Sequence, residues 1–222
     1  MKNILIAGGT DGLGLEIVRL LANDPANNLT ILGRNPEKLK DIIDRVNFIQ
    51  IDISIESEIE KFEKSFEVQL DAVIISVGIF GHGSIESFTY SQMKESIDTN
   101  LLGHIFLTKA LSKNMIEGSR IISINSMSGI ITTKERSLLC AAKWGLRGFY
   151  GSLTEEWKSR KIMITQVFPG FFDSGYMNKV GIEKDKTNAI KKEVIANQVV
   201  DILNLPTDVY VPEIQVKNVS YI

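Results

Sequence analysis

The strongest constraint on the fold is an alternation repeated along the whole chain: a short apolar run, then a longer segment of helical period, then another short apolar run. Apolar runs near Asn3–Ala7, Leu29–Leu32, Asn47–Ile51, Ala72–Ser76, Arg120–Asn125, Lys161–Val167 and Val209–Pro212 predict seven strands. Between them, helical spacing predicts helices over Leu13–Ala22, Pro36–Arg45, Ile55–Phe66, Tyr90–Met115, Ser137–Arg160 and Ala189–Leu203. Strand followed by helix, repeated, implies a parallel sheet with helices on both faces, an α/β doubly wound, Rossmann-like arrangement. Runs such as "AVIIS" and "RIISI" are continuous rather than alternating, as expected of strands buried on both sides. Such a sheet holds ligands at the carboxyl ends of its strands, near the point where the strand order reverses. No repeat, low-complexity tract or linker divides the chain, so its 222 residues are read as a single domain, 1–222.

Composition removes several classes of function. Net charge is −2, with no basic field to attract nucleic acid. Only four or five apolar residues precede the first glycines in "MKNILIAGGT", too few for a signal peptide core or a membrane span. Cys140 is the one cysteine, and the two histidines, His82 and His104, are far apart. Neither an internal disulfide nor a metal site is expected, and the protein is read as cytoplasmic, with no membrane or nucleic-acid partner.

The first apolar run leads into "AGGTDGLGLEIVRLL", where Gly8, Gly12 and Gly14 have the spacing G-x-x-x-G-x-G and a helix follows at once. Glycines here permit a tight turn, close backbone approach to a diphosphate, and packing of the helix on the strand. The helix N-terminus adds N–H groups and partial positive charge. The second strand ends in "LGRN", where a carboxylate would usually take the adenosine ribose hydroxyls. Gly33 leaves room instead and Arg34 brings a guanidinium, which favours a ribose 2′-phosphate and hence NADP(H) over NAD(H), although Asp11 places a negative charge in the same region.

The glycine spacing, "QIDIS", "ISVG", "DTNLLGHIFLTKAL", "IISINSMSG", "AAKWGLRG" and "VFPGFFDSG", in that order, resemble the short-chain dehydrogenase/reductase family from about Lys2 to Ser174. The resemblance implies hydride transfer between a nicotinamide and a small carbonyl, alcohol, imine or enone. It implies cofactor contacts from Gly8, Thr10, Gly12, Leu13 and Gly14 around the diphosphate, though Ala7 replaces the usual threonine, and from Arg34 and Asn35 at the adenosine ribose. Asp52 and Ile53 match the pair beside the adenine, and Ser76, Val77 and Gly78 stand for an Asn-Ala-Gly triplet. Pro169 and Gly170 match the turn beside the carboxamide, with Ser174 in place of threonine. Asn100, Ser126 and Lys143 match a catalytic set: the asparagine of a water relay, the serine that hydrogen-bonds the substrate carbonyl, and the lysine that grips the nicotinamide ribose.

One member of that set is missing. The family's tyrosine proton donor precedes the lysine by four residues, and here that position is Leu139. A lost general acid is worth on the order of 10²- to 10⁴-fold in rate. Tyr176, in the segment 171–195 expected to close over the substrate, and His82, in "GIFGHGS", are possible substitute donors; Tyr150 and Cys140 are expected to pack in the core. Two readings follow: an oxidoreductase of weakened or altered chemistry, or a non-catalytic nucleotide-binding protein acting as sensor or scaffold. Gly145, Gly148 and Gly151 recur along one predicted helix, which implies close approach to the sheet or to a partner helix. With the family's usual interface, this gives an expected homodimer or homotetramer.

Overall fold

The computed structural model describes residues 1–175 and 185–221. Seven strands form one sheet: β1 (Lys2–Ala7), β2 (Asn27–Gly33), β3 (Val46–Gln50), β4 (Leu70–Ile75), β5 (Met115–Ile124), β6 (Met163–Pro169) and β7 (Glu213–Val216). Their order is β3-β2-β1-β4-β5-β6-β7 and every pairing is parallel. The order therefore reverses between β1 and β4, and a crevice opens there at the carboxyl ends.

Among the described residues six helices cover the sheet: α1 (Gly12–Leu21), α2 (Glu56–Ser65), α3 (Tyr90–Ile97), α4 (Gly103–Leu111), α5 (Ser137–Trp157) and α6 (Lys192–Leu203). Side chains alternate across each strand. Ile4, Ile6, Ile31, Ile74 and Ile122 pack under α1 and α6, whereas Leu5, Val73, Ile75, Ile121 and Ile164 pack with Phe62, Leu107, Leu146 and Tyr150 from α2, α4 and α5. Both faces of the strands are thus apolar, which is why their sequences read as unbroken runs.

Several expected elements differ. The segment Pro36–Arg45 forms two short 3₁₀ turns, Glu37–Leu39 and Ile43–Arg45. Only Leu39 and Ile42 of that stretch are buried against the core, too little tertiary contact to hold a longer helix. Tyr90–Met115 is not one helix: a π-helical turn, Asp98–Leu102, joins α3 to α4, a 3₁₀ turn follows at Ser112–Asn114, and Met115 already belongs to β5. The helix expected to reach Arg160 ends at Trp157. A 3₁₀ turn and a left-handed Lys161, with φ of 53°, then delay β6 to Met163.

The last strand was expected at Val209–Pro212 and lies at Glu213–Val216. Side chains, not a full ladder, satisfy much of the expected run: the Arg120 guanidinium donates to the Val209 carbonyl at 3.0 Å and the Thr165 hydroxyl to that of Val211 at 2.6 Å. Arg120 also donates to the carbonyls of Leu205 and Pro206, fastening the chain that leaves α6.

Glycines carry distinct burdens. A Cβ on Gly14 would lie 2.1 Å from the Gly8 carbonyl oxygen. On α5 none of the three glycines approaches the sheet: a Cβ on Gly145 would lie 3.0 Å from the Leu101 side chain of the π turn, and a Cβ on Gly148 or Gly151 would meet nothing within 4 Å among the described residues. Gly14→Ala should therefore lower the unfolding free energy by on the order of 3 kcal/mol or more, whereas Gly148→Ala should raise it by about 0.5–1 kcal/mol. Urea unfolding of both variants checks the contrast; equal effects would contradict it.

Candidate active site

A cleft of ≈ 390 Å³ opens at the switch point. Gly8, Thr10, Gly12, Leu13, Arg34, Asp52, Ile53, Ser76, Val77, Gly78, Asn100, Ser126, Leu139, Lys143, Pro169, Gly170 and Ser174 line it, so the structure brings most of the sequence-derived positions together. Gly14 and Asn35 are not in the lining. Gly14 seats α1 on the Gly8 carbonyl, and the Asn35 side chain accepts the Glu37 N–H at 2.9 Å.

The floor of the cleft is backbone. Gly8 turns off β1 with φ of 80°, and a Cβ there would be 2.8 Å from the Ser76 carbonyl oxygen of the β4 end. Gly12 opens α1 with φ of 54°, and Asp11 caps that helix by accepting the Gly12 N–H at 2.9 Å. The carboxylate of Asp11 also pairs with Lys38, which offsets its charge in the loop. Gly33 has a packing reason of its own: a Cβ there would be 2.5 Å from the Thr10 methyl, so the space it leaves is filled by Thr10. Beside it Arg34, whose side chain is 74% exposed, lies 3.6 Å from Asp52.

Further along, the π turn places Asn100 fully buried under the cleft. Its Oδ1 accepts the Ile79 N–H at 3.1 Å, and its Nδ2 donates to the carbonyls of Ile79 and Ser96 at 3.1 and 3.0 Å. Gly78 allows this: a Cβ would stand 3.0 Å from Asn100 Oδ1 and 3.7 Å from Lys143 Nζ. Lys143 is 4% exposed, and among the described residues its ammonium makes one long hydrogen bond, 3.4 Å to the Ile124 carbonyl. Burial pushes its pKa from 10.5 down to about 8.

Ser126 follows β5 at the head of a 3₁₀ turn, Met127–Gly129, its Oγ accepting the Ser128 N–H at 3.1 Å. Gly129 lets this turn sit on α5, since a Cβ would lie 2.9 Å from the Lys143 carbonyl oxygen. Leu139, one turn before Lys143, is buried and faces the same cleft.

Of the two side chains considered as substitute donors, His82 lies outside the cleft lining, its Nε2 3.3 Å from Glu135 Oε2 and its ring 6.0 Å from that of Phe80. Tyr176 lies outside the described residues. Within the segment 171–195, Phe171, Phe172 and Ser174 line the cleft, Ile190 N–H donates to the Phe171 carbonyl at 2.9 Å, and α6 starts at Lys192. Tyr150 is wholly buried against Thr108, 3.1 Å away, and its pKa is pushed up to about 12.

Sequence reasoning missed two polar groups here. His104, next to Gly103 on α4, is wholly buried, and its pKa is pushed down to about 3 by burial and by the nearby Lys143 charge. Its neutral ring therefore donates from Nε2 to the Val77 carbonyl at 2.9 Å, steadying the strand end that lines the cleft. Arg136, which opens α5, lines the cleft as well. Its basic character one turn before Leu139 was the available signal.

Lys143 makes stability depend on pH. Its folded pKa is below the unfolded one, so the unfolded chain binds the extra proton between about pH 8 and 10.5, and stability rises with pH across that window. The shift corresponds to roughly 3 kcal/mol of unfavourable burial at neutral pH. Lys143→Met should remove that rise and stabilise the protein at pH 7. Urea titrations of both proteins from neutral to alkaline pH test this, and parallel pH profiles would contradict it.

A profile of the short chain dehydrogenase family matches residues 2–186. An uncharacterised oxidoreductase of Staphylococcus aureus is 27% identical over 228 residues, covering 98% of this chain and 97% of the relative. Among solved structures, an alcohol dehydrogenase from the archaeon Thermococcus sibiricus, complexed with 5-hydroxy-NADP, superposes with a TM-score of 0.86 at 25% identity, over 99% of this chain and 97% of that one. The protein BdcA in complex with NADPH shares the fold, with a TM-score of 0.85 at 19% identity over 98% and 93% of the two chains. With the profile spanning most of the sequence and the strand order to match, the chain belongs to the short-chain dehydrogenase family.

Proposed function

We propose that the cleft binds NADP(H) and that the protein is an oxidoreductase acting on a small carbonyl or alcohol, with the proton donor missing at Leu139. The observation that carries this reading is the Lys143 ammonium, buried on the cleft wall with, among the described residues, one 3.4 Å hydrogen bond and donor capacity left over. A buried cation so poorly partnered suits a site where ligand hydroxyls complete its bonds. The glycine loop fits a diphosphate for the same kind of reason: its positive-φ turns and the α1 N-terminus offer backbone where side chains would intrude.

In this assignment Gly8, Thr10, Gly12 and Leu13 surround the diphosphate, and Arg34 takes the ribose 2′-phosphate. Asp52 and Ile53 border the adenine. Ser76, Val77 and Gly78 lie under the ribose, Lys143 holds the nicotinamide ribose, and Pro169, Gly170 and Ser174 meet the carboxamide. The exposed Arg34 guanidinium, 3.6 Å from Asp52, supports a preference for NADP(H): a second anion can reach it from solvent. When bound, such a cofactor supplies or accepts a hydride at its nicotinamide ring.

The chain's own groups do the rest. The Ser126 hydroxyl, already accepting from Ser128, has its proton to donate to a substrate oxygen. Asn100, with both amide hydrogens committed to the carbonyls of Ile79 and Ser96, fixes the backbone around Lys143. Leu139 can neither donate nor accept, so carbonyl reduction lacks a general acid worth about 3–5 kcal/mol of barrier. His82, tied to Glu135, and Tyr176 are the groups that a substitute mechanism would recruit. A protein that retains the cofactor as sensor or scaffold is the alternative, and Leu139 is the observation that favours it.

Fluorescence titration with NADPH and NADH tests the cofactor assignment. We expect tighter binding of NADPH, weakened at least about tenfold by Lys143→Ala and by Arg34→Ala, the latter only for NADPH. No binding of either nucleotide would contradict the assignment. The reading extends to a cytoplasmic homodimer or homotetramer packed through α4 and α5, where Trp144 is 44% exposed and Gly148 and Gly151 leave the helix surface open. Light scattering at micromolar concentration should give the mass of a dimer or tetramer; a monomer mass contradicts it.

A further inference from the structure

We propose that Arg136 is the substrate-recognition cation of this cleft and selects short carbonyl compounds that carry a carboxylate. The inference rests on the proposed function of the cleft and names the substrate class of that same site.

The other charges of the cleft are either paired or already assigned to the cofactor. Arg34 stands 3.6 Å from Asp52, Asp11 pairs with Lys38, and Lys143 is sunk beside Gly78 and the Ile124 carbonyl. Arg136 lines the cleft and has no ion pair with any carboxylate among the described residues. Its immediate neighbour, Glu135, would be the obvious partner. Instead Glu135 adopts a left-handed backbone, with φ of 62°, and its carboxylate lies 3.3 Å from His82, outside the lining.

The position of the guanidinium is defined. Its carbon lies 5.1 Å from the centroid of the Phe80 ring, and Phe80 lines the same cleft. The backbone beneath is fixed as well: the Arg136 carbonyl accepts the Cys140 N–H at 2.8 Å, and the Glu135 carbonyl accepts the Gly83 N–H at 2.9 Å. Arg136, Leu139 and Lys143 follow one another at i, i+3 and i+7, and all three line the cleft. At 1.5 Å per residue, Arg136 lies roughly 4–5 Å beyond Leu139 along α5 and roughly 10 Å beyond Lys143.

These spacings set the chemistry. A carbonyl held by Ser126 at the level of Leu139 places a carboxylate a few bonds away within reach of the guanidinium, whose planar fork suits two parallel hydrogen bonds to carboxylate oxygens. Phe80 beside the guanidinium and Leu139 and Met127 elsewhere in the lining add apolar surface to the cleft, where a charge pair is less screened than in open water.

The test uses pyruvate, acetoacetate and levulinate, which set the carboxylate at increasing distance from the carbonyl, each against its methyl ester. Binding to the full-length protein is measured by calorimetry and ligand-observed NMR, with and without saturating NADPH, whose own binding is recorded separately. At least one acid should bind about tenfold or more tightly than its ester. Arg136→Gln should abolish that preference while ester and NADPH affinities stay within about twofold, and Arg136→Lys should retain part of it. Equal affinity for acid and ester, a preference that survives Arg136→Gln, or no binding of any acid overturns the proposal. Acid selectivity through Arg136 in a protein that binds no NADPH would leave the proposal standing and remove the cofactor assignment.

Discussion

The contact on which the rest of this structure depends is the approach of α1 to the end of β1, where a Cβ on Gly14 would stand only 2.1 Å from the Gly8 carbonyl oxygen. With glycine there, the helix can start at Gly12, directly beyond the strand, and bury Leu13, Leu15, Ile17, Val18 and Leu21. That burial places α1 beside α6 over one face of the sheet. The same turn leaves backbone, not side chains, facing the crevice between β1 and β4. A larger residue at Gly14 would lift the helix, thinning the core and closing the cleft floor together.

Stability is given up at the other wall. Lys143 is held in a site that disfavours its charge, and His104 is buried so deeply that its ring stays neutral. The π turn at Asp98–Leu102 departs from regular helix in order to set Asn100 beneath Gly78 and Ile79. Each choice is unfavourable or irregular for folding alone, and they converge on one cleft. Departures of that kind gather where a ligand is to be held.

Much of this was legible in the sequence because its causes are local. "AVIIS" and "RIISI" are apolar on both faces since helices cover both, and the glycine spacing follows from the single turn that joins β1 to α1. What escaped depends on distant partners. Val209–Pro212 has the composition of a strand, but Arg120 and Thr165 take its carbonyls and the regular ladder starts at Glu213. Pro36–Arg45 has helical spacing but only two side chains with a core to join. Gly33 suggested room for a phosphate, and its nearest constraint is Thr10, more than twenty positions earlier. Arg136 and His104 could be read as ordinary surface and helix residues until the fold brought one to the cleft and the other under Val77.

We propose that the cleft serves hydride chemistry and that Leu139, one turn before Lys143, leaves it without its acid. Substitution of Leu139 by tyrosine tests it most directly, with cofactor-dependent turnover of a carbonyl panel, oxo acids included, measured for both proteins. The account predicts that Leu139→Tyr raises turnover by on the order of 10²- to 10⁴-fold. Equal turnover by the two proteins would contradict it.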